Sequence, residues 1–343
     1  MNPSLVLQHL IEKKELASAD MSELMRMMMA GELQPTMVAG LLVALRSKQE
    51  TASEIAAAAQ VMRNFATAVE VNDKSHLVDV VGTGGDGAHT FNISTASMLV
   101  AAAGGAKIAK HGNRSVSSKS GSADVLEAFG VKLNLSAQAV SQCIEKTGLG
   151  FMFAPNHHPA MKNVVPVRKD LGVRTVFNIL GPLTNPAKAP HILMGVFNAD
   201  LVRIQAEVLK LLGTQSALVV YGRDGLDEIS LQGPSLVGEL KSGLVSEYEI
   251  KPEDFGFDVA PTSLLKVSNA NESKEIIWAV LNNQSGPAKD IVCLNAGATL
   301  YVSGISENIK QGVQIAKDAI TSGAAKQKLN DFVACTQALA PIN

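Results

Sequence analysis

Cysteine is scarce. The three present, Cys143, Cys293 and Cys335, are far apart, odd in number and without C-x-x-C spacing. That pattern fits a reducing compartment, argues against a thiolate metal site and leaves all three as core residues. Net charge is nearly absent: 30 Lys and Arg against 32 Asp and Glu give −2. Nothing overall marks a nucleic-acid or anionic-membrane surface, although a local basic cluster can still serve a phosphorylated small molecule. Long apolar runs are missing too, none approaching the roughly 18 residues of a membrane span. The amino terminus MNPSLVLQHLIEKKE is too polar and too early in its charges for a signal peptide. A soluble, cytoplasmic protein is expected. No internal repeat, low-complexity linker, P-loop, sequential Ser-His-Asp pattern or His/Cys metal cluster stands out.

What is there divides into two patterns. A chain of 343 residues exceeds the size at which one domain usually splits, so one large and one small domain are expected. Residues 1 to about 70 read as short amphipathic helices. Asp20 is a candidate cap for MSELMRMMMAG with Gly31 at its end, Pro35 suits a first turn, and Thr51-Ala-Ser-Glu54 spells a capping box. From about residue 76, apolar β-rich runs alternate with helical ones: LVDVV, STASMLVAAAG, AKIAK, SADVLEAFG, then GFMFA, HILMGVF and SALVVYG. That alternation predicts an α/β fold with a mostly parallel sheet flanked by helices. The stretch from Ala160 to Pro190 breaks the alternation, and beyond Asn271 the chain reads as helices.

Within the α/β part, GTGGDG at 82–87 matches G-x-G-x-x-G by its letters. A dinucleotide turn also needs a helix opening at the last glycine and an acidic residue about twenty positions on. Instead AHTFNIST follows, placing the helix start near Ser94, and the next strand ends in Lys110-His111-Gly112-Asn113-Arg114. Gly82, Gly84 and Gly85 would let backbone amides approach an anion, with Asn92, Ser94 and Thr95 at a helix start that favours negative charge. A phosphate or pyrophosphate cradle is therefore expected, and a plain strand-to-helix turn is the alternative.

Other groups extend that site. SVSSKSGSAD, residues 115–124, is either a solvated loop or, beside Lys110 and Arg114, a second phosphate loop. Asp227-Glu228 follows the strand and turn of YGRDGL, near the sheet edge where ligands of open α/β folds collect. The pair suits surface solvation, or Mg²⁺ held by one or two carboxylates plus substrate oxygens. NHHPAMKNVVPVRKDLGVR supplies His157, His158, Arg168 and Arg174. The histidines serve as capping or as chemistry, and Arg168 as a surface ion pair or a planar carboxylate clamp.

Taken in order, GTGGDG with FNIST, KHGNRSVSSKSGSADVLEAFG, HPAMKNVVPVRKDLGVRTVFNILGPLTNP and GRDGLDE strongly resemble the anthranilate phosphoribosyltransferase family across nearly the whole chain. The resemblance implies a homodimer. It also implies a small helical domain, residues 1–72 with about 162–190, and a large α/β domain of 73–161 and 191–343, with substrates meeting between them. It further implies transfer of the phosphoribosyl group of 5-phosphoribosyl 1-pyrophosphate (PRPP) to anthranilate, with two Mg²⁺ ions. By the same resemblance Gly82, Gly85, Asp86, Thr90, Asn92, Ile93, Ser94 and Thr95 would hold the pyrophosphate and ribose side. Lys110, His111, Gly112, Asn113, Arg114, Ser115, Val116, Ser117 and Ser118, with Ser122, would complete the phosphoribosyl site. Asn113 and Arg168 would contact anthranilate; Ser94 would touch one magnesium, and Asp227 and Glu228 the other. His111 and His158 are the candidate proton acceptors. Two rival readings share the fold. A pyrimidine nucleoside phosphorylase would use free phosphate and would not need Asp86, Ser94, Asp227 and Glu228 together. A non-catalytic nucleic-acid binder would call for a broadly basic surface.

Overall fold

The computed structural model describes residues 1–114 and 120–341. Four helices come first: α1 (Pro3–Ile11), α2 (Ser18–Ala30), α3 (Pro35–Lys48) and α4 (Ala52–Phe65). Their ends follow local chemistry. Pro35 opens α3, where its missing N–H leaves no bond unmade. Thr51 caps α4 reciprocally: Glu54 N–H donates to Thr51 Oγ1, and the Glu54 carboxylate accepts from Thr51 N–H at 2.8 Å. Gly31 closes α2 in the left-handed conformation at φ 75°. The start of α2 departs from the sequence expectation. Ala17 is its N-cap, and Asp20 lies inside the first turn, favourable to the helix dipole without capping it.

The alternating part runs β1 (Leu77–Gly82), α5 (Ile93–Ala103), β2 (Lys107–Gly112), α6 (Ser122–Ala128), α7 (Ala137–Thr147), β3 (Leu149–Phe153) and α8 (Ala154–His157). A 3-10 turn at Pro159–Asn163 leads to α9 (Val165–Leu171), α10 (Phe177–Leu180), β4 (His191–Gly195), α11 (Leu201–Leu211) and β5 (Ser216–Gly222). A hairpin of β6 (Ser235–Lys241) and β7 (Leu244–Ile250) precedes α12 (Ala270–Leu281), α13 (Pro287–Val302), α14 (Ile309–Thr321) and α15 (Ala324–Leu339). The hairpin was not anticipated. Its turn residues Ser242 and Gly243 both have positive φ, 51° and 76°, the geometry of a tight two-residue hairpin loop.

The strands form one sheet in the order β3-β2-β1-β4-β5-β6-β7, parallel from β3 to β5 and antiparallel beyond. Strand side chains alternate between faces, so one apolar run feeds two cores. Leu193, Leu218 and Val220 pack with Leu99 of α5, Ile291 of α13 and Val313 of α14. Ile192, Met194 and Val219 pack with Met25 of α2, Ala58 of α4 and Val202 of α11. The alanines of α4 let α2 and α11 approach closely, and each large side chain buried there, such as Leu41 or Leu42, contributes about 1.5–3 kcal/mol. Between β3 and β4 the chain crosses to the helical side: the 3-10 turn packs on α2, α9 on α3 and α10 on α4. Asn163 Nδ2 donates to Met29 O at 2.8 Å there. Cys143 and Cys293 are buried as expected, but Cys335 is only half-buried, its Sγ 3.4 Å from that of Cys143.

Candidate active site

In an open α/β sheet, ligands collect beyond the strand carboxyl ends where the strand order reverses. Here that point lies between β1 and β4, with β2 and β5 on opposite sides. Residues 83–92 leave β1 at this place. Gly84, Gly85 and Gly87 take φ of 66°, 78° and 73°, a backbone path that residues with a Cβ adopt only under strain. Thr83 N–H donates to Gly195 O at 2.9 Å, and Phe91 N–H to Leu265 O at 2.8 Å, so both arms of the loop are fixed. Thr90 pairs with Lys266 in an isolated bridge. Residues 88–92 separate the last glycine from α5, unlike a dinucleotide turn.

Asp227 and Glu228, half-buried after β5, lie across these strand ends. Asp227 Oδ2 accepts from Gly84 N–H at 2.8 Å. An ideal Cβ on Gly82 would sit 2.6 Å from Asp227 Oδ2, and one on Gly195 would sit 1.5 Å from the Asp227 carbonyl oxygen. Gly195 therefore belongs to the site although the sequence reading passed over it; the signal was a glycine ending an apolar strand. Burial raises the pKa of Asp227, and the facing Asp86 carboxylate raises it further. Burial likewise raises Glu228, with Asp227 adding to the shift and Lys110 opposing it. Carboxylates crowded in this way form an oxygen-donor set short of positive charge, which fits a hard divalent cation. Among the described residues no three His, Cys, Asp or Glu side chains converge enough to hold a metal alone.

Lys110 of β2 is only 2% exposed; its ammonium donates to the Val80 carbonyl and to Ser94 Oγ at 3.2 Å. Burial pulls its pKa down, while Asp79, Glu228 and Asp227 hold it up. Asp79, also missed in the sequence, is buried in β1, where its Oδ2 accepts from Asn185 Nδ2 at 2.7 Å and its Oδ1 from His111 N–H at 3.2 Å. Asn185 donates to Ala109 O as well, at 2.7 Å, fastening β1 to β2 beside the cradle.

His111 follows Lys110 and so faces the other side of the sheet. Its ring centroid lies 4.9 Å from that of His158. Burial pulls both histidines down, His158 to about 4, and both are neutral at pH 7. His111 Nε2 lacks a hydrogen-bond partner among the described residues, and the Thr184 backbone is the polar group beside the His158 ring. His157 is structural by contrast, with Nδ1 3.0 Å from Thr67 O. Arg168, half-buried on α9 with its Cζ 5.4 Å from the Phe177 ring centroid, has no ion pair among the described residues. Arg174 Nη2 donates to Gly85 O at 2.6 Å.

Other predicted residues are held elsewhere. Asn92 spends its side chain on Ser120 and Ser273: Oδ1 accepts from their hydroxyls at 2.7 and 2.8 Å, and Nδ2 donates to Ser120 O. Ile93 and Thr95 are buried in the first turn of α5, and Ile93 N–H already donates to Phe91 O at 2.8 Å. Arg114 is engaged by Glu127 at 2.8 Å and Asp124 at 3.1 Å. Asn113 accepts Arg114 N–H on its side chain, and its carbonyl lies 3.4 Å from Ser122 Oγ. Ser122 also packs against Gly112, where a Cβ would meet its Oγ at 2.4 Å. Ser115, Val116, Ser117 and Ser118 lie outside the described residues.

Residues 74–326 match the model of the glycosyl transferase family a/b domain, and residues 5–66 that of its helical bundle domain. The chain is 69% identical over 337 residues to an anthranilate phosphoribosyltransferase of Polynucleobacter necessarius, covering 98% of this chain and 99% of that protein. The crystal structure of the Thermus thermophilus anthranilate phosphoribosyltransferase superposes with a TM-score of 0.92 at 44% identity, over 97% of this chain and 99% of that one. The Saccharomyces cerevisiae enzyme in complex with PRPP and Mg gives 0.90 at 27% identity, over 98% of each chain, and the same yeast enzyme has been solved with 4-fluoroanthranilate. Matched along its length in sequence, fold and domain models, the chain belongs to the anthranilate phosphoribosyltransferase family.

Proposed function

We propose that this chain transfers the phosphoribosyl group of PRPP to the amine of anthranilate, releasing pyrophosphate and forming N-(5-phosphoribosyl)anthranilate on the way to L-tryptophan. The observation that carries this reading is the gathering of Asp86, Asp227, Glu228 and buried Lys110 around a glycine loop at the β1/β4 switch point. Thr83 and Gly84 N–H are taken by Gly195 and Asp227, so the backbone N–H groups of Gly85 and Asp86 take the pyrophosphate, together with Lys110. Asp227 and Glu228 would hold one magnesium ion and Ser94 would touch a second, and bound there the metal would neutralise charge on the departing pyrophosphate. Displacement at the anomeric carbon builds oxocarbenium-like charge, so the chain's own contribution is electrostatics and positioning.

Arg168 orients anthranilate through its carboxylate, with Asn113 as a second contact. The neutral amine is already nucleophilic, and His158 or His111, both neutral, accepts its proton. Helices α1 to α4 with residues 162–190 form the small domain, and 73–161 with 191–343 the large one.

A homodimer is supported by exposed Leu5 and Ile11 on α1, Val43 on α3 and Val165 on α9, since α1 packs on α3 and α3 on α9. A monomer in sedimentation at micromolar concentration would remove the dimer. A cytoplasmic location is consistent with the absence, among the described residues, of any helix long and apolar enough to cross a membrane. Offering the protein PRPP with anthranilate, and separately uridine with inorganic phosphate, tests the reaction. Pyrophosphate formed in step with anthranilate consumption supports transfer, and nucleoside cleavage by phosphate would instead mark a nucleoside phosphorylase.

A further inference from the structure

We infer that Arg174 is a positioning residue that couples the two substrate sites, by tying the glycine loop to the helix that bears Arg168. Its Nη2 donates to the carbonyl of Gly85 at 2.6 Å, and its Cζ stacks 3.9 Å from the Phe197 ring centroid. Phe197 is itself bound to the same loop, its N–H donating to Thr83 Oγ1 at 3.1 Å. The guanidinium thus lies between an aromatic shelf and the backbone at the centre of the cradle.

On the other side the connection to Arg168 is short. Helix α9 ends at Leu171, Gly172 turns in the left-handed conformation at φ 63° with its N–H on Arg168 O at 3.2 Å, and Arg174 follows two residues later. Thr175, next in the chain, is buried and its N–H donates to Asn178 Oδ1 at 2.9 Å, so the segment behind Arg174 is anchored. A change in the Gly85 peptide on filling the cradle therefore reaches the last turn of α9 through one side chain. Because coupling is reciprocal, donor binding and anthranilate binding change each other's affinity by the same factor, and a cradle drawn shut on PRPP makes that change favourable. Lysine cannot replace this residue, since it lacks both the planar stacking face and the fork.

This inference rests on the transfer reading above. Initial rates over a grid of both substrates are compared for the wild type, R174A, R174K and F197L, with thermal midpoints recorded. In the wild type the apparent KM for anthranilate falls about fivefold or more as PRPP rises from well below to well above its own KM. R174A and R174K flatten that dependence to within about twofold at an unchanged midpoint. F197L, which keeps the guanidinium but removes its shelf, gives a weakened dependence and decides the matter if R174A does not fold. An anthranilate KM independent of PRPP in the wild type, or full dependence retained in R174A or F197L, overturns the coupling and leaves the transfer reading standing. No turnover in the wild type would overturn that reading itself.

Discussion

The carbonyl oxygen of Asp227 occupies the space a side chain on Gly195 would need, 1.5 Å from where its Cβ would lie. One strand-ending glycine thereby sets the position of both candidate metal-binding carboxylates. Gly195→Ala must displace residues 226–228, and a shift near 1 Å at reacting groups costs roughly 100-fold in rate. The expected result is a loss of kcat of that order together with a raised requirement for Mg²⁺. Unchanged magnesium dependence in the variant would contradict the placement.

Arg168→Ala removes a guanidinium that has no ion pair among the described residues. The apparent KM for anthranilate should rise by about 10-fold or more, the size of a lost charge-assisted hydrogen bond, and far more than that for PRPP. Steady-state kinetics with each substrate varied in turn decides it. Equal effects on both substrates would refute an anthranilate-orienting role.

Glu54 is fully buried, with Oε2 2.7 Å from Lys48 Nζ and Oε1 accepting Leu16 N–H at 2.9 Å. Burial works to raise its pKa, but the bonds from Leu16, Lys48 and Thr51 outweigh it and the net shift is downward. Glu54→Ala leaves the buried Lys48 ammonium without its carboxylate, with only the Gln49 carbonyl at 3.0 Å, and should cost about 3–5 kcal/mol in denaturant titration. The depressed pKa makes this contribution present above the ordinary carboxylate range and lost as acid protonates the folded-state carboxylate.

His158 gives a second experiment on the acid side, with the same sign. Its folded pKa of about 4 lies below the ordinary 6.5, so the unfolded chain takes up protons first as pH falls. Stability should decline from pH 6.5 towards 4 by about 1.4 kcal/mol per pH unit for each such proton. His158→Gln should flatten that slope in thermal melts, and a slope unchanged by the substitution would contradict a neutral buried ring.

How much of this was legible in the sequence depended on range. The Thr51–Glu54 cap, Pro35 and the glycine loop are local signals, each carried by residues within a few positions of one another, and the alternation of apolar runs revealed the parallel sheet. The β6–β7 hairpin escaped although SLVGELKSGLVSEYEI carries a Ser-Gly turn between alternating runs, because an edge strand with mostly exposed side chains lacks an apolar signature. Gly195 against Asp227, Asp79 against Asn185 and Arg174 against Gly85 are contacts between distant segments, set by the crossing of strand ends. Arg114 misled for a related reason: its charge reads as basic in sequence, yet α6 folds Asp124 and Glu127 against it.

The most direct test of the central claim follows anthranilate fluorescence in the presence of the full chain, with PRPP and Mg²⁺ added separately and together. The account predicts loss of signal only when donor and metal are both present, with one pyrophosphate released per anthranilate consumed. A signal that persists with both present, or that falls equally without the donor, would contradict it.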